Sequence, residues 1–137
     1  MSEHVPGALV VEDLVVAQGA TWSRSWEFAE GDPAALPAGW STPGRWKARL
    51  EARRRRGVPE VLFSAASEAG ATGSIVLSEN GAYGVITVTL PAPALVDASW
   101  QQGVYDLELV DTGFSPAQVI RLVEGSVRLS MEVTTRA

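Results

Sequence analysis

Two carboxylates on one predicted strand are the chain's best candidates for acid–base chemistry. Asp106 and Glu108 lie two residues apart in the stretch YDLEL, in which large apolar and acidic residues alternate. Side chains at positions i and i+2 of a strand share a face, and paired carboxylates can hydrolyse glycosidic bonds. The alternative is a set of cross-strand ion pairs, because basic residues occupy outward positions of neighbouring predicted strands. Those residues are Arg45, Lys47, Arg49, Arg121 and Arg128. We favour the ion pairs.

Few other residues could carry out catalysis. The 137-residue chain has one histidine, His4, and no cysteine. A Ser-His-Asp triad would have to use His4 near the N-terminus, and thiolate chemistry is excluded. The sequence contains no nucleotide-binding glycine motif and no EF-hand or zinc pattern. We therefore predict that the protein is not an enzyme and binds neither a cofactor nor a metal.

A run of four arginines interrupts an otherwise acidic chain. Arg53, Arg54, Arg55 and Arg56 precede Gly57, although the formal net charge of the protein is −5. Nucleic-acid binding draws on a surplus of basic residues and on interleaved aromatic rings, so we predict no nucleic-acid partner. Four adjacent positive charges repel one another and therefore favour water or an acidic partner. The run is then a solvated hairpin tip, which we favour, or a contact to an acidic protein such as another copy of this chain. Contact with nucleic acid or a membrane is the third interpretation.

Five tryptophans fall into two groups. Trp22, Trp26 and Trp46 lie in the apolar rows of predicted strands, which favours packing in the core. Trp40 and Trp100 lie in predicted loops, where an exposed tryptophan is a candidate anchor for a protein interface. Stacking against a carbohydrate is the alternative for these two residues.

The elements that must position these residues are strands, because the dominant period of the sequence is two. In residues 45–53 every second residue is apolar and the others are charged. Predicted strands span residues 9–16, 21–28, 45–53, 60–64, 74–77, 86–90, 105–109, 118–123 and 127–134. Predicted turns lie at residues 18–19, 79–81, 102–103, 111–113 and 124–125. The pattern predicts an all-β fold, a single antiparallel β-sandwich of eight or nine strands, with one short helical turn near residues 92–99.

One domain accounts for nearly the whole chain. Residues 1–8 are predicted to form a flexible N-terminal arm, and residues 9–137 a single β-sandwich domain. Residues 30–44, with three prolines, are predicted to form a long loop. The N-terminal segment has no basic region and carries Glu12 and Asp13 within its apolar part, so we predict that it is not a signal peptide. No apolar stretch is long enough to span a membrane as a helix.

The order of several short motifs resembles the LtfC-like β-sandwich domain of bacteriophage virion proteins, which is similar to the N-terminal domains of siphophage baseplate upper proteins. The resemblance covers about residues 9–136, and it depends on the order and spacing of the motifs. The motifs are GATWSRSW at residues 19–26, GRWKARL at 44–50, GSIVL at 73–77, GVYDLEL at 103–109, RLVEGSV at 121–127 and VTTR at 133–136.

This resemblance implies a structural role in a virion, assembled in the cytoplasm of the bacterial host. The expected function is that of an adaptor or assembly module of the tail, tail tip or fibre, acting through protein–protein contacts. A capsid-surface decoration or head-fibre protein is the alternative, and a carbohydrate-binding module is a further one. The expected partners are other virion proteins and the chain itself. The chain is expected to form a homo-oligomer, by analogy with fibre proteins a trimer. Nucleic acid and membranes are not expected as partners.

Overall fold

The computed structural model describes residues 10–29, 46–80, 83–113 and 115–133. Several sequence predictions fall outside these ranges. They concern the arm at residues 1–8 with His4, the loop at residues 30–44 with Trp40, and Arg45 at the start of a predicted strand.

The described residues form nine strands and one 3-10 turn. The strands are β1 (Val10–Val11), β2 (Leu14–Ala17), β3 (Trp22–Ala29), β4 (Trp46–Arg53), β5 (Phe63–Ala66), β6 (Gly73–Asn80), β7 (Tyr83–Leu90), β8 (Gln102–Asp111) and β9 (Gln118–Ser130). The 3-10 turn, Ala92–Leu95, lies between β7 and β8 and is shorter than the predicted helical turn at residues 92–99. The prediction of an all-β protein with eight or nine strands is confirmed.

Strand β4 shows why alternation in the sequence locates strands well. Trp46, Ala48, Leu50 and Ala52 are buried, and the charged residues between them point outward. Strand β8 repeats the pattern, with Tyr105, Leu107 and Leu109 buried. A two-residue period places all apolar side chains of such a strand on one face. The strand is stable only when that face is covered.

The strands form one curled sheet, a half-barrel of mixed direction. The order across it is β1-β9-β8-β4-β5-β6-β7-β3, with β2 also beside β9. Strands β1 and β2 run parallel to β9, and β5 runs parallel to β6. The predicted plain antiparallel sandwich is therefore wrong in detail. Alternation shows which face of a strand is buried, but it carries no information about the neighbour or its direction.

The N-terminal segment is two short strands, not the single strand predicted at residues 9–16. Val10 pairs with Val123 and Leu14 with Val127, so the two residues between β1 and β2 pass over Gly125. A Cβ atom on Gly125 would lie 2.0 Å from the carbonyl oxygen of Glu12. The predicted turn at residues 124–125 is wrong, because this glycine permits a close approach inside the continuous strand β9.

Two other predicted turns have different outcomes. Residues 102–103 belong to β8, so no turn occurs there. The turn after β8 is confirmed, and in it the amide of Gly113 donates a hydrogen bond of 2.9 Å to Oδ1 of Asp111. This local bond between a side chain and the backbone is what makes aspartate frequent in turns.

A single hydrophobic cluster fills the concave side of the sheet. Trp26 and Trp46 are buried in it, as predicted, together with Phe28, and Trp22 packs against it partly exposed. Leu95 of the 3-10 turn is also buried in this cluster, so the turn covers one end of the core. Within the described residues, no helix is long and apolar enough to cross a membrane.

Candidate functional site

The candidate carboxylates lie in a groove on the convex side of the sheet. The groove has a volume of about 380 Å³ and runs over β4 and β8 to the turn that follows β4. Its charged lining consists of Arg49, Glu51, Arg53, Arg56, Asp106 and Glu108. Three positive and three negative side chains therefore alternate over a small area, and the groove is close to neutral as a whole.

Both carboxylates of the proposed acid–base pair lie beside arginines. Nε of Arg49 lies 2.8 Å from Oε1 of Glu108 across the β4–β8 pair. Nε of Arg121 on β9 lies 3.6 Å from Oδ2 of Asp106. Burial, followed by repulsion from Glu108, raises the pKa of Asp106 above its ordinary value. The contacts are those of the ion-pair interpretation that the sequence favoured.

Arg53 fixes the turn that connects β4 to β5. Its Nη1 donates hydrogen bonds of 2.9 and 2.6 Å to the carbonyl oxygens of Val58 and Pro59. Its Nη2 lies 2.9 Å from Oε1 of Glu51. The backbone turns back at Gly57, whose φ of +83° is a conformation that glycine adopts without strain. Arg53 is thus half-buried and structural, whereas the three arginines after it are exposed.

We call Arg54, Arg55 and Arg56 the arginine turn. The prediction that the run marks the end of a strand and its turn is confirmed. Arg54 pairs with Glu60 at 3.2 Å, and Arg56 pairs with Glu124 on β9 at 3.1 Å. The side chain of Arg55 contacts no acidic group among the described residues. The guanidinium of Arg55 can therefore bind an acidic group from outside the described part of the chain.

Trp100 is not the exposed anchor that its sequence context suggested. It is 5% exposed and stacks on Phe63, with ring centroids 5.9 Å apart. The ring is therefore part of the core, although its neighbours in the sequence are small and polar. Its indole is unable to stack on a sugar or on another protein in this conformation. The second proposed anchor, Trp40, lies outside the described residues.

The sequence did not identify Glu12, a polar residue that forms hydrogen bonds to several strands. Its carboxylate accepts two hydrogen bonds of 2.7 Å from Arg24 and one of 3.2 Å from Nε1 of Trp26. The hydroxyl of Tyr105 donates a bond of 2.6 Å to the carbonyl oxygen of Glu12. The bonds from Arg24 lower the pKa of Glu12, and burial raises that of Tyr105.

One signal in the sequence could have revealed this cluster. Arg24 occupies an apolar position in the alternation of β3, between Trp22 and Trp26. A charged residue in the buried row of a strand requires an opposite charge. Glu12, within the apolar N-terminal segment, meets that requirement, and Arg24 also lies over the Trp26 ring at 4.8 Å. The cluster joins the two ends of the open sheet, so its role is structural.

The comparisons with known proteins add no family. No protein-family model matches this chain, and no curated protein shows a significant match. In the described part of the chain, no three histidine, cysteine, aspartate or glutamate residues are grouped so that they could hold a metal ion.

Proposed function

We propose that this chain is a non-enzymatic structural protein of a bacteriophage virion. It serves as an adaptor or assembly module of the tail, tail tip or fibre, and it acts through protein–protein contacts. The order of strand and turn motifs, which resembles the LtfC-like virion domain, supports the virion assignment. Such a protein is made in the bacterial cytoplasm and becomes part of the particle.

The arginine turn is the observation that carries the contact function. It places three exposed guanidinium groups at the end of β4, where the chain turns towards β5, and Arg53 forms hydrogen bonds that fix this turn. The Arg54–Glu60 pair is exposed on both sides, with side chains 51% and 61% accessible. An exposed ion pair contributes only about 0–1 kcal/mol to stability. A carboxylate of a partner can therefore replace Glu60 at little cost.

The partner that fits this turn is an acidic protein surface. Arg55 has no acidic contact among the described residues, and guanidinium groups form bidentate hydrogen bonds with carboxylates. The chain itself carries a net charge of −5. Both another virion protein and a second copy of this chain can therefore supply the acidic surface.

The virion assignment is tested by the composition of purified particles. We expect mass spectrometry to detect the chain in virions purified on a density gradient, and immunogold labelling to place it on the tail. Labelling of the head would support the capsid-decoration alternative. If the chain occurs in the lysate but not in purified particles, the virion assignment is wrong.

The arginine turn is tested separately by the triple variant R54S/R55S/R56S. We expect the variant to fold with a free energy of unfolding within about 1 kcal/mol of the wild type, because its ion pairs are exposed. We also expect weaker incorporation into particles, or loss of salt-sensitive binding to other virion proteins. Arg128→Ser, which removes an exposed arginine from β9, is the matched control. A triple variant that does not fold would contradict the exposed placement, and unchanged incorporation would contradict the contact role.

A further inference from the structure

The convex side of the sheet has two chemically different halves. Over β4, β8 and β9 most outward positions are charged. Over β3, β7 and β6 the outward positions carry mainly hydroxyl groups. We call this second surface the hydroxyl face and define it by Ser23, Ser25, Ser74, Ser78, Thr87 and Thr89, with Val76 and Val85 among them. On the same outward face, Glu27 lies at the end of the surface.

Strand register arranges these side chains in rows. Ser74, Thr89 and Ser23 lie opposite one another across β6, β7 and β3. In the next row Val76, Thr87 and Ser25 do the same. The hydroxyl oxygens of Ser25 and Thr87 are 2.8 Å apart, and those of Ser23 and Thr89 are 3.3 Å apart. These short side chains are therefore already ordered by one another.

We propose that the hydroxyl face is the surface through which two copies of this chain associate. In a two-fold interface each residue near the axis meets its own counterpart. A carboxylate or a guanidinium would then face a like charge, whereas a hydroxyl group both donates and accepts hydrogen bonds. Serine and threonine are thus self-complementary in this arrangement. Val76, which is 59% exposed in the middle row, loses contact with water when it meets its counterpart.

The copies associate through the face, and pairing of strand edges is blocked. Strand β3 is an end of the sheet order, so its outer edge could in principle accept another strand. Arg24 lies in the inward row of this strand and is held by Glu12. An inward charge on an edge strand is a known protection against edge-to-edge pairing. The face beside that edge stays available to a second copy.

The size of the face indicates weak, reversible association. Three strands about 4.8 Å apart and three rows about 6.8 Å apart cover roughly 300 Å² on each copy. A standard stable interface buries about 800 Å² on each partner. We therefore expect dimers only at high local concentration, such as in an assembly that holds copies side by side. This proposal of a two-fold pair differs from the trimer expected by analogy with fibre proteins. The proposal does not depend on the virion assignment.

The test is the concentration dependence of the mass of the full-length protein. Sedimentation equilibrium from roughly 10 µM to about 1 mM should show the mass rising from 14.5 kDa towards about 29 kDa, twice that value, for a weak dimer. The rise should be equally strong in low and high salt, because no charge pair drives it. A monomer at every concentration, or a limiting mass of three chains, would overturn the proposal.

Matched variants locate the interface. Val76→Lys places a charge in the middle row and should weaken association by about tenfold or more. Ser25→Lys is a second variant on the same row, and circular dichroism checks the folding of both. Val119→Lys is the control, since Val119 is 49% exposed on β9 outside the face. Equal association of the Val76→Lys variant and the wild type would refute the assignment, as would equal weakening by Val119→Lys.

The arginine turn provides the remaining comparison. If R54S/R55S/R56S or added salt abolishes self-association while Val76→Lys does not, the interface is the arginine turn and the hydroxyl face is wrong. Loss of self-association in the Val76→Lys variant with normal behaviour of the triple variant supports the hydroxyl face. Neither result bears on whether the chain occurs in purified virions.

Discussion

Glu12 contacts three parts of the sheet through its carboxylate and its backbone. The carboxylate is held by Arg24 and Trp26 on β3, the carbonyl oxygen by Tyr105 on β8, and the amide donates to Glu124 on β9. From the sequence, this residue only argued against a signal peptide. Its partners lie far apart along the chain, and a local pattern contains no information about contacts of that kind.

Replacing Glu12 with glutamine tests this cluster. A glutamine keeps the size of the side chain but removes the negative charge, so the bidentate bond from Arg24 is weakened. Hydrogen bonds to charged groups contribute about 1.5–3 kcal/mol, and Glu12 is partly exposed, so we expect a loss of about 1–2 kcal/mol at pH 7. Urea denaturation measures this loss. Glu27→Gln, which removes an exposed carboxylate from the same strand β3, should change stability little.

The same variant has a predictable dependence on pH. The pKa of Glu12 in the folded protein lies below its ordinary value of 4.5, mainly because of the hydrogen bonds from Arg24. The stabilisation by its charge is thus fully present above the ordinary pKa and is lost as the pH falls through the lower, folded pKa. Wild type and Glu12→Gln should converge in stability below that range. A stability difference that stays constant from pH 7 to pH 2 would show that the charge is not responsible.

Among the elements, the 3-10 turn depends on one side chain from a distant loop. Nε2 of Gln18 lies 3.1–3.2 Å from the carbonyl oxygens of Leu95, Val96 and Ala98. Its Oε1 accepts a hydrogen bond of 2.9 Å from the amide of Glu132. A helical turn ends with carbonyl groups that lack internal partners. The two N–H groups of Gln18 are shared among these carbonyls, of which that of Leu95 also accepts from the amide of Ala98, and Gln18 connects the turn to the end of β9.

We predict that Gln18→Ala loosens the 3-10 turn. Loss of these hydrogen bonds should lower the free energy of unfolding by about 1–2 kcal/mol. Amide hydrogen exchange should become faster in residues 92–100 while the amides of β8 stay protected. Gln102→Ala, which truncates an exposed glutamine on β8, is the control. Unchanged exchange in the Gln18→Ala variant would show that the buried side chain of Leu95 holds the turn without this bond.

The elements also show how far the sequence predicts this fold. Strands β3, β4, β7 and β8 were located by alternation, since each buries one row of side chains in the core. The parallel pairing of β1 and β2 with β9 was missed, because it joins residues more than 100 positions apart. The sequence predicts a turn at Gly125, although this glycine permits close approach of Glu12. A glycine that forms a turn and a glycine that permits a close approach look the same in a sequence.

The candidate site was predicted unevenly for a similar reason. Charge and spacing located the arginine turn and the outward pairs of Asp106 and Glu108, because these features are local. Trp100 was misplaced, since the polar residues near a tryptophan do not show whether a distant ring such as Phe63 covers it. Alternation within single strands does not reveal the hydroxyl face, because its rows join residues from three strands.

At the scale of the whole molecule, the backbone link between β5 and β6 in the middle of the sheet is narrow. Only two residue pairs connect these strands, Ala65 with Gly73 and Ala66 with Ser74. On one side of this link are β6, β7 and β3, and on the other are the remaining strands. The buried side chains of both sides nevertheless belong to one cluster. Backbone pairing alone would allow two independent units, whereas the shared core requires them to unfold together.

We therefore predict a single cooperative unfolding transition. Leu50 and Leu107 from one side and Ile86 and Val88 from the other are each 0% exposed in the common core. Unfolding β6, β7 and β3 alone would expose both halves of that core, and the two residue pairs at the link would compensate little of the loss. Far-ultraviolet circular dichroism and tryptophan fluorescence should give the same midpoint in urea. Under native conditions, the amides of Ile86 and Leu107 should exchange through openings of equal free energy. Exchange of the Ile86 amide through a clearly easier opening would mean that β6, β7 and β3 form a separate unit. The narrow link, and not the shared core, would then determine the stability of the hydroxyl face.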